Sequence, residues 1–155
     1  MRFFAVTAAL AIAGCAAEPG DLNADGRVDC RDLDGRFEAG LVRFTAEHDL
    51  GRSVVLDEVQ LEFVLYDRIF HSRVVHGGRE LRTTGEAFAE SARALTVVGP
   101  LVPGASFDDD PLLCVYDYDA AHLQLEGEAG YDFPGDGVEG PVDAFVELDA
   151  RRVSG

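Results

Sequence analysis

Val59, Leu61, Phe63 and Leu65 alternate with Gln60, Glu62, Val64 and Tyr66. A period of two marks a strand with one face buried, because successive Cβ atoms point to opposite sides of a sheet. The same texture recurs down the chain. Phe70–His76 reads as a second extended run, and Gly77-Gly78 then signals a turn into Glu80–Thr84. Residues 87–98 are rich enough in Ala for a helix, but Leu95-Thr96-Val97-Val98 and the bracketing Gly85 and Gly99-Pro100 favour a strand. Leu112–Tyr116 reads as a buried strand; His122–Gly127 and Ala144–Leu148 alternate cleanly. Pro103-Gly104 and Pro134–Gly137 punctuate them. The expected fold is mainly β, an antiparallel sandwich or barrel of roughly six to nine short strands.

A chain of 155 residues holds one modest domain. Its 47% hydrophobic content excludes wholesale disorder. The formal charge is −16, and all 13 basic residues are Arg. Such acidity excludes binding to a nucleic-acid backbone, which needs clustered cations. Between Ala94 and Ala150 there is no Lys or Arg. That stretch reads as a solvated acidic surface. Further calcium sites at Asp108–Asp110, or at Asp132 or Asp136 with Asp143, and a basic protein or peptide partner are the sharper alternatives.

The N-terminus reads as an address. Arg2 precedes the apolar run Phe3–Ala13, too short to span a bilayer comfortably. The run ends in Ile12-Ala13-Gly14-Cys15, which resembles the lipobox of bacterial lipoproteins. The resemblance implies cleavage before Cys15 and lipid on its sulfur. It therefore implies a chain tethered to a lipid bilayer in the bacterial cell envelope. Ala16 and Ala17, where the family uses Asp for inner-membrane retention, favour the outer membrane if the cell has one. The expected organisation is a signal peptide at 1–14, an anchor, loop and short helix at 15–44, and a β-domain at 45–155.

Residues 21–32 read Asp-Leu-Asn-Ala-Asp-Gly-Arg-Val-Asp-Cys-Arg-Asp. Asp21, Asn23, Asp25, Asp29 and Asp32 fall at positions 1, 3, 5, 9 and 12 of the calcium-loop pattern, with Gly26 at position 6. Ca²⁺ is a hard cation that takes six to eight oxygens, and alternate side chains of a tight loop converge on one point. Arg27 at position 7 offers its carbonyl, and Val28 an apolar plug toward the core. Asp32 stands where the pattern has Glu. The loop resembles the EF-hand-like loops of dockerins, which also end in Asp and lack a full entering helix. That resemblance implies calcium as cofactor, with either a structural clamp or a calcium-dependent docking module as the role. Leu33, Phe37 and Leu41 are spaced for a short helix, interrupted by Gly35 and Gly40.

With Cys15 lipidated, Cys30 and Cys114 remain, and an oxidising envelope favours their pairing. Alternatively, Cys114 is one more buried apolar residue of its strand. His71 and His76 are five apart, on opposite faces of a strand, a poor arrangement for a metal. No nucleophile elbow, phosphate loop or His-Glu-x-x-His stretch occurs, so a non-enzymatic structural or binding role is expected, ahead of an envelope hydrolase.

Overall fold

The computed structural model describes residues 20–135 and 137–153. The expected signal peptide, Cys15 and Asp136 therefore lie outside the described residues. Nine strands follow one another: β1 (Gly35–Ala46), β2 (Ser53–Val55), β3 (Val59–Val64), β4 (Ile69–His76), β5 (Arg79–Ser91), β6 (Ala94–Gly99), β7 (Ala105–Asp117), β8 (His122–Tyr131) and β9 (Val142–Arg152). Two 3-10 turns, Cys30–Asp32 and Leu65–Asp67, are the helical elements among the described residues. No helix among these residues is long and apolar enough to cross a membrane.

Each strand from β3 to β9 pairs antiparallel with the next, and β1 pairs with both β3 and β9. The sheet thus closes into an eight-stranded up-and-down barrel, with β2 as an extra strand. Of the two architectures expected from the alternation, the barrel is the one formed. β2 continues the register of β3 along β1: Ala39 faces Val59 and Arg43 faces Val55. The interruption falls at residues 56–58, where Glu58 takes φ 37°. Leu56 still donates its N–H to the Val42 carbonyl at 2.9 Å.

Eight strands enclose a space that side chains can just fill. Phe37, Val42, Phe44, Leu61, Phe63, Phe70, Leu95, Leu112, Leu123 and Leu125 fill it, each essentially inaccessible to water. Opposite positions point outward and are mostly polar, as in Gln60 and Glu62 on β3 or Gln124 and Glu126 on β8. β1 changes parity midway. A register shift between Ala39 and Leu41, against β9, lets both Phe37 and Val42 point inward.

The ambiguous segment 87–98 is β throughout its paired length, the end of β5 and most of β6, joined at Ala92-Arg93. The short helix expected after the loop is the single 3-10 turn Cys30–Asp32. The Leu33–Phe37–Leu41 spacing carries no longer helix, because β1 has begun by Gly35.

Candidate metal centre

The loop 21–32 packs on one end of the barrel. Cys30 and Cys114 form a disulfide, with Cα atoms 6.3 Å apart, joining the loop to β7. Backbone bonds flank it: Cys30 N–H to the Ala92 carbonyl (3.3 Å) and Cys114 N–H to the Arg93 carbonyl (3.0 Å). Leu33 and Phe37 are fully buried, and Val28 packs partly buried against the core. Just beyond, the Asp34 carboxylate accepts from Leu65 N–H at 2.6 Å. The Asp34 carbonyl accepts from the Arg152 guanidinium, which also donates to the Tyr116 hydroxyl at 3.0 Å. That guanidinium lies 4.8 Å from the Tyr118 ring centroid and 5.4 Å from that of Phe37. A Cβ on Gly35 would come within 2.7 Å of it. Glycine also suits the φ of +123° there.

Inside the loop, carboxylates at the two ends gather backbone donors. Asp32 is wholly buried. Its Oδ1 accepts from Leu22 N–H (2.8 Å) and Asn23 N–H (3.1 Å), and its Oδ2 from Asp29 N–H (3.1 Å). Asp21 accepts from Asp25 N–H (3.1 Å) and Gly26 N–H (2.7 Å). Asn23 Oδ1 also accepts from Asp25 N–H at 2.9 Å, and Asp25 Oδ1 from Arg27 N–H at 3.0 Å. Gly26 adopts φ 82°, the left-handed turn its position demands. With three of about four lone-pair sites on Asp32 engaged, one acceptor site remains there for a cation. This is a smaller role than the bidentate Glu of the pattern.

Arg31 spans the middle of the loop. Its guanidinium lies 2.9 Å from Asp25 Oδ2 and 2.6 Å from Asp29 Oδ2. Its hydrogen bonds hold the Asp29 carboxyl below the usual carboxylate range. No three carboxylates of the loop meet as ligand atoms within 4.8 Å of one another. Among the described residues, the group of three whose ligand atoms meet so is two carboxylates and an imidazole, Glu47, His48 and Asp143, just past β1 and at the start of β9. There, Glu47 N–H donates to the Asp143 carbonyl at 3.0 Å.

All six residues of the expected ligand set, Asp21, Asn23, Asp25, Arg27, Asp29 and Asp32, therefore lie in one folded loop, with two of their carboxylates held by an internal cation. Sequence reasoning missed Arg31 as that cation, although its position beside two Asp in the loop was a local signal. It also missed the meeting of Glu47 and His48 with Asp143, which depends on the Ala46–Ala144 pairing of β1 with β9. His71 and His76 take no part in either group. Comparison with protein-family models, with curated proteins and with solved structures returned no match.

Proposed function

We propose that this chain is a lipid-anchored envelope protein whose barrel is capped and stabilised by calcium in the loop 21–32. In this reading Cys15 carries the lipid, the loop clamps the tether to the barrel, and the barrel serves a structural or binding role rather than a catalytic one. The observation that carries the clamp role is the loop's integration into the barrel end. Asp32 has no exposed surface, and Cys30 is bonded to Cys114. A module that docks a partner through its calcium segment needs that segment free, so the packed loop favours a clamp over dockerin-like docking. Side chains that offer oxygen at positions 1, 3, 5, 9 and 12 suit a hard cation.

Titration calorimetry tests the metal. Wild-type protein should bind one Ca²⁺, and Asp21→Ala with Asp25→Ala should abolish binding. Calcium at a hundred times its Kd should add about 2.7 kcal/mol of stability. Equal affinity in wild type and double variant would remove the loop from the site. Mass spectrometry of the mature chain tests the anchor: a free Cys15 thiol would rule it out.

A further inference from the structure

We propose that the outer face of β7, β8 and β9 is a docking surface for a basic polypeptide segment that carries apolar side chains between its cations. Across this face Leu113 lies beside Glu126, Glu126 beside Glu147, and Glu128 beside Phe145. Leu113 and Phe145 are 47% and 42% exposed, large values for apolar side chains in mid-strand. With the three glutamates and Thr45 they line a groove of about 550 Å³.

The charge arrangement says what kind of partner fits. Glu126 and Glu147 are direct cross-strand neighbours, a like-charge pairing that weakens a sheet. Arg43 approaches Glu147 at 3.5 Å, while among the described residues Glu126 and Glu128 form no ion pair. Residues 94–150 supply no Lys or Arg, and Arg151, exposed further along β9, lies in register with Glu38 and His122, beyond Asp149. A cationic segment would relieve that repulsion and cover Leu113 and Phe145 with its apolar side chains. A second copy of this chain is a poor occupant, since it brings a further charge of −16. Its Arg36, Arg68, Arg73 and Arg82 are also already paired with acids. The surface uses none of the loop residues, so it stands apart from the calcium reading.

The test uses a synthetic peptide of alternating Arg and Leu against polyarginine of equal charge, in calcium and in chelator. The alternating peptide should bind more tightly in both. It should shift the amide resonances of Leu113, Glu126, Glu128 and Phe145, and weaken with added salt. Glu126→Gln with Glu128→Gln should lose roughly tenfold in affinity. The same double variant should melt at a higher temperature than wild type, which separates lost binding from lost folding. Phe145→Ser should weaken binding with the salt dependence kept. Equal binding of polyarginine, with shifts centred on Asp108–Asp110, would overturn the proposal. So would indifference to these variants, or a concentration-dependent dimer that buries Phe145.

Discussion

Arg31 lies where a divalent cation would compete, between Asp25 and Asp29. Replacing it with Gln should tighten calcium binding, because the metal no longer displaces a guanidinium. The calcium-free protein should lose little stability, since the pair is partly exposed. Calorimetry and urea unfolding read the two effects separately. Asp29 gives the pH dependence. Its folded-state pKa lies below its unfolded value, chiefly through the Arg31 hydrogen bond. Its contribution to stability is therefore complete above the ordinary carboxylate pKa of about 4 and is lost as pH falls through the lowered value. In chelator, Asp29→Asn should flatten the acid limb of a stability-against-pH curve. The loop 21–32 was legible as a motif because its spacing is local. The box of Phe37, Tyr116 and Tyr118 around Arg152 was not, because three distant segments build it.

Among elements, the 3-10 turn Cys30–Asp32 is short but covalently tied. Its disulfide closes 84 residues of chain. Cys30→Ser with Cys114→Ser should cost on the order of 4 kcal/mol in the chain-entropy account, read by denaturant unfolding. Strands β3, β4, β8 and β9 announce themselves because one face is apolar and the other polar. β5 is longer than the expected run Glu80–Thr84 because Gly85, read as a bracket, lies inside the strand and pairs with Phe70. β7 was visible only as Leu112–Tyr116. Asp108, Asp109 and Asp110 look like a loop, and Asp109 with φ 70° marks an irregularity that the strand absorbs. The start of β1 was hidden by the parity change near Gly40, which made Phe37 and Leu41 look helically spaced.

At the scale of the whole molecule, acidity acts against compactness. The charge of −16 is repulsive, and residues 94–150 carry no Lys or Arg to offset it. Thermal stability in chelator should therefore rise from low to high sodium chloride as that repulsion is screened. A scan in which added salt lowers stability throughout would show that ion pairs such as Arg73–Glu80 outweigh it. The choice of barrel over sandwich was not legible in the strands, because both bury alternate residues. It rests on one pairing, β1 with β9, that no local pattern announces. That pairing also sets an order of events. Phe37 faces Arg152 across the seam, so the first barrel strand must wait for the far end of β9. A chain emerging N-terminus first cannot complete this barrel until β9 has been made. Folding should be slow, as expected where closure joins distant segments. Until β9 arrives, the partial sheet keeps β1 and β8 as open edges.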